Sequence, residues 1–281
     1  MDRSGAERPQ PSADPSGGGL SAATLVDSHC HLDMLDDAAG ALAEARAAGV
    51  GTVVAVGIDV ASSRAAVELA QRTPGVYATV GLHPHDAGRL DDGLLAELAG
   101  LATSKKVVAV GECGLDYYRD RAPREAQERA FVVQIQLARR VRLPLVVHVR
   151  DAGEDALRLL AEHAQGLRVI LHCFSQATAV EECNACGYFQ SYAGNMTYAS
   201  AADLRGAAAR TREDLLLVET DAPFLTPMPY RGHGNRPAYV ALTAQFLARL
   251  RGWSDEQVAA ATSANACRAF AIDDPVAARP S

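Results

Sequence analysis

Apolar residues along the chain fall into eight short runs: "TLVDSH", "GTVVAVG", "VYATVGL", "VVAVGE", "PLVVHV", "RVILHC", "YFQSYA" and "LLLVET". Between them, apolar positions recur at helical spacing in "ALAEARAAG", "SRAAVELAQR", "LLAELAGLAT", "REAQERAFVVQIQLARRV" and "EDALRLLAEHA", with a looser connection before the last run. Near-continuous apolar strands imply burial on both faces, which a parallel sheet covered by helices provides. Eight strand–helix units predict an α/β fold, a (β/α)8 TIM barrel in a single domain. A doubly wound open sheet is the alternative. Two closing helices are expected in "RPAYVALTAQFLARLRG" and "SDEQVAAATSANACRAF". Ser254 and Gln257 give the second a capping box.

Composition adds boundaries to this pattern. Residues 1–23 are rich in Pro, Gly and Ser and read as a disordered tail, because they hold too few bulky apolar groups to bury. The barrel is expected over 24–272, with 273–281 as a flexible C-terminal tail. A length of 281 residues suits one such barrel. No apolar run is long enough to span a bilayer, and the N-terminus lacks the apolar core of a signal peptide, so a cytoplasmic location is expected, with no membrane partner. No obligate protein partner is implied. The formal net charge of −7 argues against a long basic face, so any contact with nucleic acid must be local. Six cysteines do not make a disulfide scaffold at this size. Cys183 and Cys186 form a C-x-x-C without a second pair, and are expected as structural thiols on a helix.

The chemistry sits at the ends of the strand-like runs. In "VDSHCHLD", alternation puts His29 and His31 on one face and Cys30 on the other. Later runs end in His83 and His85 of "GLHPH", Glu112 of "GECGLDYY", His148 of "VVHVRD", His172 of "LHCFS", and Glu219 and Asp221 of "ETDAPF". In a barrel, these ends meet on one rim. His29, His31, His148, His172, Glu112 and Asp221 are too many ligands for one tetrahedral zinc ion. They suit two divalent ions bridged by a carboxylate. Nitrogen and oxygen donors without thiolate admit Zn, Mn, Mg, Co or Ni. Cys30, Cys113 and Cys173 each neighbour a candidate ligand, and alternation turns them away if the strand persists, to pack as small hydrophobes.

These motifs, taken in order with "HVRDA" and "ETDAPFLTPMPYRG", resemble the TatD family of metal-dependent hydrolases, from about Thr24 to Phe270. The resemblance implies that His29, His31 and Asp221 hold one ion, His148 and His172 the other, and Glu112 both. It also implies a metal-dependent DNase, often a 3′-to-5′ exonuclease, or a D-aminoacyl-tRNA deacylase. Two positions depart from the family pattern, Gln176 for Gly in "LHCFSQ" and Arg236 for Glu in "PYRGHGNR", and neither is a candidate ligand.

Two ions about 3.5–4 Å apart lower the pKa of a shared water and clamp a scissile phosphoryl group. Asp221 and Glu112 are the expected catalytic carboxylates, with Asp221 as general base. Glu219 either orients other ligands or ligates directly. His83, Asp116, Tyr117, Arg150 and Arg231 are candidate substrate contacts, each with a loop-shaping or solvated role as the alternative. Arginine forks suit phosphate oxygens, as Arg119, Arg121 and Arg236 also could. Tyr117, Tyr118, Tyr192 and Tyr230 are candidates for base stacking. The expected reaction is nuclease action on DNA ends, reached as single strands, by a two-metal-activated water. Hydrolysis of a tRNA-linked ester or an amide at the same site is the main alternative, and a non-catalytic binding module the remote one.

Overall fold

Strands and helices alternate through the computed structural model, which describes residues 24–272. The order is β1 (Leu25–Cys30), α1 (Ala38–Ala47), β2 (Val50–Ala55), α2 (Val60–Arg72), β3 (Val76–Val80), α3 (Asp92–Leu101), β4 (Val107–Asp116), α4 (Arg124–Val141) and β5 (Leu145–Arg150). It continues with α5 (Gly153–His163), β6 (Val169–Leu171), α6 (Val180–Cys186), β7 (Phe189–Tyr192), α7 (Ala202–Arg210), β8 (Leu216–Val218), α8 (Val240–Arg251) and α9 (Asp255–Phe270). All eight strands are parallel and pair in sequence order, as a single-domain TIM barrel requires. The expected tails, 1–23 and 273–281, lie outside the described residues.

Period two along the strands explains the two-sided burial. Leu145 and Val147, Val169 and Leu171, and Leu216 and Val218 belong to the large core shared with the helices. Val146, Ile170 and Leu217, one residue out of phase, form a second cluster with Val26, Val54, Phe189 and α9 residues Ala266, Ala269 and Phe270. The last helix thus seals the N-terminal end of the barrel interior. Its Ser254–Gln257 capping box forms as expected.

Barrel closure is short of backbone hydrogen bonds and is completed by side chains. β8 ends at Val218, and beyond it the chain meets β1 through Asp221 N–H to His29 O, His31 N–H to Ala222 O, and a Cys30–Ala222 bridge. The buried Asp27 carboxyl group accepts from Thr220 N–H (2.9 Å) and lies 2.6 Å from Thr220 Oγ1. Ser28 Oγ donates to Val218 O at 2.9 Å and lies 2.8 Å from Ser191 Oγ. In β4, Gly111 has φ 133° and lies so close to β5 that an added Cβ would strike the Val146 carbonyl oxygen. Only glycine permits that approach just before Glu112.

Candidate metal centre

On β5, β6 and the end of β8 the inward face carries an apolar residue low in the barrel and chemistry above it. Val146 is followed two residues on by His148, and Ile170 by His172. Leu217 is followed by Glu219 and Asp221. The six strand-end candidates converge. Glu112 lies between two sets of imidazoles, one oxygen toward each. Its Oε2 is 3.4 Å from His29 Nε2 and 3.8 Å from His31 Nε2. Its Oε1 is 2.9 Å from both His148 Nδ1 and His172 Nε2. Asp221 Oδ1 stands 3.4 Å from His31 Nε2 and 3.8 Å from His29 Nε2.

Burial of so many polar groups has a cost that the protein alone does not offset. Both ring nitrogens of His29, Nδ1 of His31, and one carboxylate oxygen each of Glu112 and Glu219 are buried without a hydrogen-bond partner. Unsatisfied buried polar atoms are rare and expensive in folded proteins. Three groups bring a ligand atom from each member within 4.8 Å of the others: His29, His31 and Glu112; His83, Glu112 and His148; and His29, His172 and Glu219. Nitrogen and oxygen donors in this density fit divalent cations. Charge pairing is visible without them. Burial pushes the Glu112 carboxyl upward, but the charges of His172 and His83 and hydrogen bonds from His148 and His172 outweigh it and hold it well below the carboxylate range. Burial disfavours a charged His172, yet Glu112 and Glu219 raise it well above the ordinary imidazole value.

A second ring of residues fixes the ligands. Asp116 Oδ2 is 2.8 Å from His85 Nε2 and 3.4 Å from His148 Nε2, the nitrogen remote from Glu112. Asp116 also accepts from Arg119 N–H at 2.8 Å. Glu219 Oε1 accepts from Cys173 N–H at 2.8 Å and stands 3.4 Å from His172 Nδ1. Carboxylates set behind histidines in this way select tautomer and orientation. Two buried glutamines seven residues apart on α4, and so on one face, tie the rim loops down. Gln134 accepts from Leu82 N–H (2.8 Å) and donates to Leu82 O (2.9 Å). Gln127 accepts from Asp116 N–H (2.8 Å) and donates to Ala122 O (2.9 Å).

Several expected substrate contacts lie elsewhere. Asp116 is 1 % exposed, beneath His85 and His148 rather than at the mouth. The Tyr117 hydroxyl points outward, 3.2 Å from both Glu128 and Asp155 on α4 and α5. His83 is buried with its Nε2 3.4 Å from Glu112 Oε1, within the cluster. Arg150 and Arg231 do stand exposed on the rim, stacked over Tyr118 (4.0 Å) and Tyr198 (4.3 Å). Arg236 pairs with Glu44 at 2.7 Å. Tyr192 is fully buried against Thr211, and Tyr230 stacks on Tyr239. Cys30 and Cys113 pack in the core as expected, whereas Cys173 does not. β6 stops at Leu171, Cys173 turns to φ 42°, and its sulfur lies 3.9 Å from Asn195 Nδ2. Cys183 is buried and Cys186 exposed, both on α6.

A (β/α)8 barrel with imidazoles and carboxylates gathered on the strand C-terminal ends defines a metal-dependent hydrolase. The chain belongs to the TatD related DNase family, whose model matches residues 26–271. It is 40 % identical over 259 residues to the metal-dependent hydrolase TatD of Mycobacterium tuberculosis, covering 88 % of this chain and 98 % of that protein. It is 37 % identical over 244 residues to a protein of Citrobacter rodentium named 3′-5′ ssDNA/RNA exonuclease TatD, covering 82 % and 90 % respectively. Among solved structures, the TatD homologue YjjV of Escherichia coli matches with a TM-score of 0.84 and 30 % identity, covering 89 % of this chain and 98 % of that one.

Proposed function

We propose that this chain removes nucleotides from the 3′ ends of single-stranded DNA, using two divalent ions. The observation that carries this reading is Glu112 with one oxygen facing His29 and His31 and the other facing His148 and His172. His29, His31 and Asp221 would hold one ion, His148 and His172 the second, and Glu112 both. When bound, such a pair supplies Lewis acidity to a phosphoryl group and makes water acidic enough to attack it near neutral pH. The chain's own residues do the rest. Asp221 is the carboxylate open to the mouth, its side chain 13 % exposed against 3 % for Glu112. It is therefore the group placed to accept the proton of an incoming water. Burial pushes its carboxyl upward, but the His31 hydrogen bond and the charges of His31, His172 and His29 hold it ionised, as a base must be. Asp116 and Glu219 orient His148 and His172. Arg150 and Arg231 meet phosphate oxygens beside the scissile bond. The name of the Citrobacter relative supports the choice of single strands and of 3′ polarity.

The test incubates purified protein and added Mn²⁺ with 5′-labelled and 3′-labelled single strands, and in parallel with D-aminoacyl-tRNA. Stepwise shortening from the 3′ end is expected. Intact strands alongside a cleaved aminoacyl ester would overturn the nuclease reading in favour of a deacylase.

A further inference from the structure

Exposed large apolar side chains among the described residues are Met34, Tyr118, Phe224 and Met228. All four lie in loops that follow strands, on the rim where the metal ligands gather: Met34 after β1, Tyr118 after β4, Phe224 and Met228 after β8. The helical outer wall contributes none. Exposed apolar side chains confined to the mouth make it the place where an apolar face could be covered.

The two aromatic members differ. Tyr118 has Arg150 over its ring at 4.0 Å and Arg119 at 5.5 Å, so cations already engage it. Phe224 is half exposed. Its ring meets the His31 ring edge-on, with centroids 6.0 Å apart and planes at 73°. Its backbone is held from both sides. Phe224 N–H donates to Asp221 O at 2.8 Å, and its carbonyl accepts from the buried Asn235 Nδ2 at 2.6 Å. Asn235 Nδ2 also donates to Thr220 O at 2.8 Å, tying this turn to the β8 end. The loop therefore presents an unsheltered ring from a fixed backbone, beside a candidate ligand. Strand order puts β8 and β1 across the barrel from β4 and β5. The β8–β1 side of the mouth thus carries Phe224, Met228 and Met34 together with Arg231, and the β4–β5 side carries Tyr118 with Arg150 and Arg119.

We propose that Phe224 is a stacking platform for the nucleobase of the terminal nucleotide of a single strand. Exposed apolar side chains and arginines around one mouth match the two halves of a nucleotide, a flat base and a charged phosphate. Aromatic stacking accepts any base, since every base has a π-face. It requires that face to be free, which favours an unpaired end. The proposal rests on the nuclease reading above and names the contact that holds its substrate.

The test crosses protein and substrate variants. Wild type, Phe224→Ala, Phe224→Leu and Phe224→Tyr are assayed on single strands whose 3′ nucleotide either carries its base or is abasic. Metal content is measured alongside, to show that the ligands are intact. For wild type, removing the terminal base should lower kcat/KM by about 5- to 150-fold, the range for one lost base–aromatic stack. Phe224→Ala and Phe224→Leu should show a loss of that size on the ordinary strand and little further loss on the abasic one. Phe224→Tyr should behave as wild type. If Phe224→Ala retains wild-type kcat/KM and the full abasic penalty, the stacking site is wrong while the nuclease reading stands. If wild type shortens neither strand, both fail together.

Discussion

Asp221 and Asp116 show how two carboxylates on one rim take different tasks from their surroundings. Asp221 reaches the mouth and faces His31 and His29, whereas Asp116 is sealed beneath His148 and His85. Asp221→Asn should therefore abolish nearly all turnover in a folded protein, because an amide cannot accept a proton and is a poorer ligand. Loss of general-base assistance alone is on the order of 10²–10⁴ in rate. Retention of more than a tenth of wild-type turnover at full metal occupancy would remove Asp221 from that role. Asp116→Ala should act on His148 instead. Weakening of metal binding by about 10–100-fold is expected from losing such a carboxylate partner, read by titration of chelated protein. Unchanged affinity would make Asp116 a loop residue only. Alternation carries His148 and His172 inward from the apolar Val146 and Ile170, whereas register shifts in β1 and β4 break that phase around His29 and Glu112, so that there the signal is only the place at a strand end. The places of Asp116 and Tyr117 were not legible because the fourth run was ended at Glu112, while β4 continues to Asp116. Alternation carried past Glu112 through Gly114 sets Asp116 inward and Tyr117 outward, as observed. Phe224 gave no periodic signal, since it lies on a loop.

At the level of elements, strand length decides where side chains must replace backbone. β6 and β8 have three residues each, shorter than their apolar runs. The β8–β1 seam consequently depends on Asp27, Ser28 and Thr220, polar residues that strand alternation alone does not single out. Burial raises the Asp27 carboxyl to about 8, even though Thr220 donates to it from both side chain and backbone. Thr220→Val keeps the shape but removes the 2.6 Å hydroxyl bond, leaving a buried oxygen short of a donor. Such a loss costs about 1–3 kcal/mol. Denaturant unfolding of the chelated protein should show a lower midpoint by that amount at unchanged slope. No change would mean the seam is held by the backbone contacts alone. The rhythm of strands and helices was legible because both strand faces are buried. The glutamines of α4 were not singled out, although two amides seven residues apart on a buried helical face are unusual enough to mark loop ties.

For the whole molecule, the proposed nuclease function has a −7 chain meet a polyanion through a small contact. Exposed Arg150 and Arg231 and the ions themselves would neutralise two or three phosphates. At about −0.7 per phosphate on a single strand, log affinity should fall against log salt with a slope of roughly −1.5 to −2. A slope steeper than about −4 would indicate an extended binding groove. Arg231→Ala should weaken strand binding and leave metal content alone. None of the described helices is long and apolar enough to cross a membrane. The number of ions that the six strand-end residues hold is the central quantity. Elemental analysis of gently purified protein, repeated after loading with Mn²⁺ or Zn²⁺, measures it directly. The predicted result is two ions per chain, falling to about one when His148 and His172 are both replaced by Ala. A wild-type value that stays at one despite added metal would contradict the two-ion centre and the mechanism built on it.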